Sequence, residues 1–240
     1  MVDPRTSIIN ERMKGIRNII AVSGGKGGVG KSLVASTLAL ILARKSCKVG
    51  LFDLDFTSPS THLILGIEGV KPKEEKGIIP PKVFGLQYMS IIYYSGDNAT
   101  PLRGADVSNA LIELLSITRW EQLDYLILDM PPGISDATLD MIRLIRNIKF
   151  LIVTTPSQLA FETVKKLTSL LASLKIPVIG IIENMKTIQP QTIQKQAQKL
   201  GLTFLGEIPY DIEIEKTLGK TNQLLKTTFA KKVKQITSKM

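Results

Sequence analysis

The sequence predicts an α/β fold in which a mostly parallel central sheet is flanked by helices on both faces, giving three α/β/α layers. Short runs of Ile, Val and Leu recur along the 240 residues, separated by amphipathic segments. The apolar runs do not alternate with polar residues, as expected for strands that are covered on both faces. This succession is typical of repeated βαβ units and therefore of a parallel sheet.

The individual elements follow from these runs. We expect core strands at Ile19–Ser23, Val49–Asp53, Leu86–Ile92, Tyr125–Asp129, Phe150–Thr154, Val178–Glu183 and Thr203–Leu205. We expect helices at Lys31–Lys45, Asp106–Ile117, Asp136–Arg146, Ala160–Leu174, Gln191–Leu200 and Asn222–Ser238. Pro156 and Pro177 lie at predicted helix boundaries, where proline is tolerated.

The chain begins with a predicted helical extension, residues 1–18, followed by one domain at 19–240. Pro4 is suited to a helix start, and Ile8, Ile9, Met13 and Ile16 form a narrow apolar stripe. The stripe has two interpretations: the helix packs on its own domain, or it docks a partner.

Composition limits the classes of function. The formal net charge is +10, which favours contact with acidic surfaces, but the lysines are spread along the chain with few aromatic residues among them. We therefore expect neither a membrane nor a nucleic acid as partner. One cysteine, Cys47, and one histidine, His62, offer no cluster of transition-metal ligands and no internal disulfide. We expect a cytoplasmic protein that by itself binds no iron–sulfur cluster or transition metal.

A glycine-rich loop carries the strongest functional signal. The pattern GxxxxGK[ST] runs from Gly25 to Ser32, between the first predicted strand and the first long predicted helix. Such a loop turns its backbone N–H groups towards phosphate oxygens at a helix N-terminus. The expected nucleotide-binding residues of the loop are Gly25, Lys26, Gly27, Gly28, Val29, Gly30, Lys31 and Ser32. Lys31 is expected to reach the β- and γ-phosphates and Ser32 to ligate Mg²⁺, so the sequence predicts a P-loop NTPase that uses ATP or ADP with Mg²⁺.

Lys26 is an additional lysine inside the glycine turn. An ordinary loop of this kind has no task for it, and its flexible ammonium can reach outward to the nucleotide of a second subunit. In that position it would act as a cation supplied in trans, as an arginine finger does. We therefore expect a homodimeric ATPase whose hydrolysis depends on closure of the dimer.

Three aspartates follow predicted strands at the same edge of the sheet. Asp129 ends the strand that begins at Tyr125, where a carboxylate holds Mg²⁺ directly or through water. Asp53 is expected near the same Mg²⁺, and Asp55 is expected to orient the attacking water. Gly133 could offer its N–H to the γ-phosphate, since it has no side chain in the way. The predicted catalytic residues are thus Lys26, Lys31 and Asp55, and the predicted metal site consists of Ser32, Asp53 and Asp129.

These motifs resemble the Mrp/MinD group of P-loop ATPases, which carry the same additional lysine. The resemblance extends over nearly the whole chain and includes residues 120–136 (WEQLDYLILDMPPGISD) and Glu183-Asn184-Met185. It implies a dimer that closes face to face around two ATP molecules. It also implies that Asn184 hydrogen-bonds the adenine edge and that the loop at Pro209 lines the base.

One departure from the group affects the expected function. Iron–sulfur carriers of the Mrp type follow Glu-Asn-Met with a CxxC pair, whereas this chain has Gln189 and Thr192 in those places. Gln and Thr supply no thiolates. Stretches such as Pro101-Leu102-Arg103-Gly104 resemble an archaeal branch that acts in nickel insertion during [NiFe]-hydrogenase maturation.

Nickel insertion is accordingly the expected function, with a small nickel- and zinc-binding protein docked at the N-terminal helix. Two alternatives remain open. The chain could be an Mrp-like iron–sulfur carrier and ATPase without the CxxC pair, or a positional ATPase that binds membrane or DNA.

Overall fold

A central eight-stranded sheet organises the molecule. The computed structural model describes residues 4–95, 105–187 and 192–240. The strands are β1 (Ile16–Ser23), β2 (Val49–Asp53), β3 (Lys73–Glu74), β4 (Ile78–Ile79), β5 (Lys82–Val83), β6 (Leu86–Ser90), β7 (Leu123–Asp129), β8 (Ile148–Thr154), β9 (Val178–Lys186) and β10 (Phe204–Pro209). The sheet has the order β10-β9-β8-β1-β7-β2-β6-β5, with β5 antiparallel to β6 and the other neighbours parallel. Strands β3 and β4 form a separate antiparallel pair.

The helices connect these strands. They are α1 (Arg5–Met13), α2 (Lys31–Arg44), α3 (Thr61–Leu65), α4 (Ile92–Ser95), α5 (Ala105–Ile117), α6 (Asp136–Leu144), α7 (Gln158–Ser173), α8 (Thr192–Lys199), α9 (Ile214–Thr217), α10 (Thr221–Leu224) and α11 (Thr228–Thr237). Within the described ranges, none of them has both the length and the apolar character needed to cross a bilayer.

Two hydrophobic cores lie on opposite faces of the sheet. One face is covered by α1, α5, α6, α7 and α8. The other is covered by α2, α3, α10 and α11. Strand β1 contributes alternate residues to both, with Ile19 and Ala21 on the first face and Ile20 and Val22 on the second. The predicted three-layer α/β fold with a mostly parallel sheet is confirmed.

Some boundaries differ from prediction because tertiary contacts set them. Strand β1 begins at Ile16 rather than Ile19, since Ile16 already pairs with Leu123 of β7. The helix predicted at Asn222–Ser238 is two helices, α10 and α11. They are separated because the Thr227 hydroxyl accepts a hydrogen bond from the Ala230 N–H (3.1 Å) and caps a new helix.

The N-terminal helix packs on its own chain. Ile9 is fully buried and Met13 nearly so, both within the core that α5 also lines. The Arg12 Nε donates to the carbonyl oxygen of Ser116, at the end of α5, over 3.1 Å. The apolar stripe of α1 is therefore used internally, while the division of the chain at residue 18 stays a prediction.

Candidate active site

The carboxyl ends of the parallel strands bring the predicted site segments together. In the sheet, Asp129 at the end of β7 lies level with Val22 of β1 on one side and with Asp53 of β2 on the other. The glycine loop follows β1 and the Asp55 segment follows β2, so both leave the sheet beside Asp129. Ligands of open α/β sheets bind at this edge.

The loop 24–32 has the shape of a phosphate cradle. Gly28 (φ 74°) and Gly30 (φ 87°) adopt left-handed backbone conformations, which residues with a side chain rarely take. A Cβ atom at Gly27 or Gly28 would meet nothing within 4 Å, so this side of the loop is open to a ligand. A Cβ at Gly30 would collide with the Asn184 amide instead. The backbone therefore turns towards open space on one side and is held by the protein on the other.

The two lysines of the loop have opposite environments. Lys31 begins helix α2 and is only 6% exposed, at the position from which a phosphate-binding lysine extends. Lys26 is exposed and makes no hydrogen bond or ion pair with any residue that the structure describes. Its ammonium is thus accessible to another molecule.

Asp129 is a fully buried carboxyl that lies beside Ser32 and Lys31. Among the described residues, neither of its oxygens has a hydrogen bond. Burial and then the nearby charge of Asp53 raise its pKa well above the usual value, whereas the neighbouring Ser32 hydroxyl and Lys31 ammonium lower that pKa. An unpaired buried carboxyl next to a hydroxyl is an oxygen donor set that fits Mg²⁺.

Asp53 is equally buried, but both of its carboxylate oxygens accept hydrogen bonds from the chain itself. Its Oδ2 accepts hydrogen bonds from the Ser60 N–H (3.1 Å), the Thr61 N–H (3.1 Å) and the Thr61 hydroxyl (2.7 Å). Its Oδ1 accepts from the Asp55 N–H over 3.1 Å. Burial raises the pKa of Asp53 to about 6, although the bonds from Thr61 lower it. Asp53 therefore fixes the whole 54–61 segment, and only Oδ1 has a lone pair left for water on a metal ion.

The hydrogen bonds of Asp53 continue to a residue that sequence reasoning missed. The Thr61 hydroxyl lies 2.9 Å from the hydroxyl of Tyr88, a fully buried residue of β6. Tyr88 is 27 residues away in sequence and sits in an apolar strand, so no local pattern marks it. Only the adjacency of β2 and β6 could have indicated the contact.

Asp55 keeps one oxygen available. Its Oδ1 accepts from the Thr57 hydroxyl (2.8 Å) and the Ser58 N–H (3.1 Å), while Oδ2 accepts no hydrogen bond from the described residues. The side chain is 8% exposed and borders an open cleft of about 250 Å³ beside Pro131 and Pro132. A carboxylate held in this way can accept a hydrogen bond from a water molecule.

The remaining predicted residues lie near the glycine loop, and two of them donate hydrogen bonds to its carbonyl groups. The Asn184 Nδ2 donates to the Val29 carbonyl (2.9 Å), and the Gly133 N–H donates to the Gly24 carbonyl (3.1 Å). Pro209 lies at the end of β10, level with Lys186 two residues beyond Asn184. The structure thus brings Asn184 and Gly133 to the loop, and their contacts with adenine and with the γ-phosphate stay predictions.

The thiol lies away from this edge. Cys47 is half-buried in the turn between α2 and β2, before the strand that ends at Asp53. It is therefore at the opposite end of β2 from the loop. Gln189 and the Pro101–Gly104 stretch lie outside the described residues.

Fold and site together define a P-loop NTPase. A family model described as "ParA: NUBPL iron-transfer P-loop NTPase" matches residues 15–240, and the chain belongs to this family. This confirms the predicted Mrp/MinD-type class.

Several curated proteins are similar in sequence to this chain. The "Iron-sulfur cluster carrier protein" of Pseudomonas fragi is 42% identical and covers 83% of this chain and 75% of its own length. The protein of that name from Methanocaldococcus jannaschii is 39% identical over 88% of this chain and 79% of its own. The match to the Escherichia coli (strain K12) protein, at 39% identity, covers 87% of this chain but only 60% of that protein.

Solved structures agree on the fold. A nucleotide-binding protein from Archaeoglobus fulgidus, described in complex with ADP and with Co, has a TM-score of 0.79 and 30% identity, covering 94% of this chain and 95% of that one. The cell division ATPase MinD of Pyrococcus furiosus has a TM-score of 0.71 at 18% identity, covering 93% and 98%. The latter similarity concerns the fold alone.

These relatives correct the expected function. Nickel insertion is wrong as the main interpretation, because the similar curated proteins are named iron–sulfur cluster carriers. The predicted nickel- and zinc-binding partner has no support among them.

Proposed function

We propose that this protein is a Mg²⁺-dependent ATPase that dimerises across its nucleotides and acts in the delivery of iron–sulfur clusters. The observation that carries the ATPase proposal is the buried Asp129 carboxyl, which lies beside Ser32 and Lys31 and accepts no hydrogen bond of normal geometry from the described residues. The iron–sulfur part rests on the names of the relatives.

Each residue of the site has a proposed task. Lys31 and the loop amides balance the charge of the β- and γ-phosphates, and Asp55 orients the attacking water through its available Oδ2. Ser32 and Asp129 would hold Mg²⁺, with Asp53 reaching it only through water. The bound ion would supply further neutralisation of phosphate charge. Asn184 and Pro209 would contact the base. Gly133 would donate its N–H to the γ-phosphate in place of its bond to the Gly24 carbonyl.

The proposed homodimer rests on Lys26, which could complete the nucleotide site of a second subunit. Because its ammonium is exposed and has no partner among the described residues, it can extend to the phosphates of a second subunit. Each subunit would then complete the other's site, and hydrolysis would separate them. The bound nucleotide would thus determine how long the dimer persists.

The cluster itself is a substrate for which this chain has too few ligands. Iron–sulfur clusters are held by Cys thiolates, commonly four, and the 240 residues contain one. That one, Cys47, lies at the edge of the sheet opposite the nucleotide loop. We therefore propose that thiolates of another polypeptide hold the cluster. ATP hydrolysis by this protein would then determine when the cluster is transferred.

The switch is tested with Lys26→Ala, measuring nucleotide binding, ATP hydrolysis and native mass with ADP and with ATP. We expect nucleotide binding to persist, hydrolysis to fall at least about a hundredfold and the ATP-dependent dimer to be lost. Lys166→Ala, at an exposed lysine of α7, is the matched control. A Lys26→Ala protein as active as that control would contradict the proposed dimer switch.

The iron–sulfur role is tested by anaerobic transfer of a [4Fe–4S] cluster from a loaded scaffold protein to apo-aconitase. We expect this protein with Mg²⁺-ATP to accelerate the recovery of aconitase activity, and Lys26→Ala to abolish the acceleration. Reconstitution of the isolated protein with iron and sulfide should give no stoichiometric cluster. An ATP-independent rate, or a stable cluster on the isolated chain, would overturn the proposal.

A further inference from the structure

A cleft of about 530 Å³ lies on the face of the sheet away from α1, between the end of α2 and helices α10 and α11. Its floor is formed by the half-buried side chain of Leu225, flanked by Ile41 and Ala230, which are nearly fully buried. The cleft is remote in sequence from every residue of the nucleotide site. We call it the basic groove because of the residues along its rim.

The rim carries positive charges that the chain does not neutralise. It consists of Arg44, Lys45, Lys226, Lys231 and Lys234, all of them exposed. Arg44 donates a hydrogen bond to the Asn222 side chain (2.6 Å), and none of the five forms an ion pair with a described residue.

The sequence keeps acidic residues away from this place. No Asp or Glu occurs in residues 31–52, which include α2, or in residues 216–240, which include α10 and α11. Several lysines elsewhere on the surface are paired with neighbouring carboxylates, as in Lys14–Glu11, Lys165–Glu162 and Lys216–Glu213. The rim is thus a uniform positive field above an apolar floor.

We propose that the basic groove binds an acidic amphipathic segment of a partner protein. Leucine-like side chains of the segment would cover Ile41, Leu225 and Ala230, and its carboxylates would face the rim. Such an arrangement satisfies both the charge and the apolar floor. The proposal goes beyond the proposed function and does not depend on it.

The structure disfavours the two other anionic partners. A membrane-seeking helix needs a free apolar face, but the apolar face of α11, with Phe229, Val233 and Ile236, is buried in the core. A bilayer is also too flat to fill a cleft. Single-stranded nucleic acid is bound by stacking on aromatic residues, and the groove has none among its lining residues.

The location gives a bound segment access to the nucleotide helix. Helix α2 spans 14 residues, about 21 Å, and has Lys31 at one end and the groove residue Arg44 at the other. A segment in the groove would therefore contact the same rigid element that carries the phosphate-binding lysine. It would do so without covering the edge at which the nucleotide and a second subunit bind.

The test uses the full chain and a fluorescein-labelled peptide of about 18 residues, in which Glu and Leu repeat so that the leucines share one helical face. We expect saturable binding that weakens as salt increases. The triple variant Lys226→Glu, Lys231→Glu, Lys234→Glu should bind at least about tenfold more weakly. It should instead bind a peptide in which Lys replaces every Glu, which a misfolded protein would not do.

The matched control carries Lys166→Glu, Lys195→Glu and Lys199→Glu, three exposed lysines of α7 and α8 on the opposite face of the sheet. Its net charge equals that of the groove variant, so it should bind the acidic peptide as the wild type does. Equal weakening in both variants would show a general charge effect and overturn the proposal.

Anionic phosphatidylcholine/phosphatidylglycerol vesicles and a 20-residue oligo-dT are tested in parallel. Groove-dependent binding of either one that is tighter than binding of the peptide would assign the groove to lipid or nucleic acid and overturn the protein-segment proposal. Nucleotide hydrolysis should be the same in both triple variants without peptide. The outcome is therefore independent of the Lys26 test.

Discussion

The ends of β2 and β7 carry two buried aspartates that lie side by side but differ in the hydrogen bonds that they accept. Asp53 receives four hydrogen bonds from its own segment, whereas Asp129 receives none from the described residues. Both are 0% exposed, and burial is the main cause of the raised pKa in each. Equal burial with unequal pairing indicates different tasks.

An unsatisfied buried carboxyl costs free energy, and a protein retains one where a ligand compensates it. We therefore expect Asp129 to lower the stability of the nucleotide-free fold, in keeping with its proposed role as a Mg²⁺ ligand. Asp53 does the reverse, because its bonds hold the segment that presents Asp55. In the proposed site, Asp129 thus binds the cation, whereas Asp53 positions the segment that carries Asp55.

Asp129→Asn should give the largest effect on activity. Loss of the carboxylate that faces Ser32 should reduce Mg²⁺-dependent ATP hydrolysis at least about a hundredfold. The free energy of unfolding without nucleotide should be unchanged or higher, since a buried unpaired acid is removed. Phosphate release and urea unfolding measure the two quantities. Asp55→Asn is the useful companion, because it should also lose hydrolysis while Mg²⁺-nucleotide binding persists.

Retained hydrolysis in Asp129→Asn would contradict the different tasks inferred for the two aspartates, because the lack of hydrogen bonds at Asp129 would then be unrelated to function. A large loss of stability in that variant would equally contradict it. In both cases Asp129 would be a structural residue like Asp53.

The sequence predicted the strand-end position of both aspartates, but it did not indicate the hydrogen bonds of Asp53. Asp129 follows an apolar run and precedes Pro-Pro-Gly, so its position at the strand edge follows from pattern alone. The bonds of Asp53 depend on the path of residues 54–61 and on Tyr88 in a neighbouring strand. Local patterns contain neither. For the same reason the pattern set the start of β1 at Ile19, while pairing with Leu123 extends the strand to Ile16.

The function was less predictable than the fold. The glycine loop and Lys26 indicate a nucleotide and a second subunit through chemistry that the residues themselves supply. The absence of a CxxC pair indicates only which group this chain does not ligate by itself, and it gives no information about the process that the chain serves. The nickel assignment exceeded that limit, and the iron–sulfur relatives correct it.

The pH dependence of stability should distinguish Asp53 by a sign that most carboxylates do not show. The pKa of Asp53 is about 6 in the fold, against 3.8 for an ordinary aspartate, so the folded chain binds the extra proton between these pH values. Protonation of Asp53 should therefore stabilise the fold fully below pH 4. This stabilisation, about 3 kcal/mol, should be lost as the pH rises past 6.

The measurement compares the single variant Asp129→Asn with the double variant that also carries Asp53→Asn, without Mg²⁺ or nucleotide. In this background only one acid of the pair titrates, and other carboxylates cancel in the difference between the two proteins. The difference in unfolding free energy should shift by about 2 kcal/mol between pH 4 and pH 7. A constant difference across that range would show that Asp53 titrates as an ordinary carboxyl.

Tyr88→Phe should give the smallest effect and the most specific one. The substitution removes only the hydroxyl that lies 2.9 Å from the Thr61 hydroxyl, so the free energy of unfolding should fall by about 1 kcal/mol. Tyr93→Phe is the matched control, since the Tyr93 hydroxyl is buried without a partner in the described part of the chain and its removal should cost nothing. If Asp53 and Thr61 position Asp55, Tyr88→Phe should also lower kcat while KM for ATP stays constant. Equal stability losses in the two tyrosine variants would show that the Thr61 contact contributes nothing, and the difference between the two strand ends would then stop at Asp53 itself.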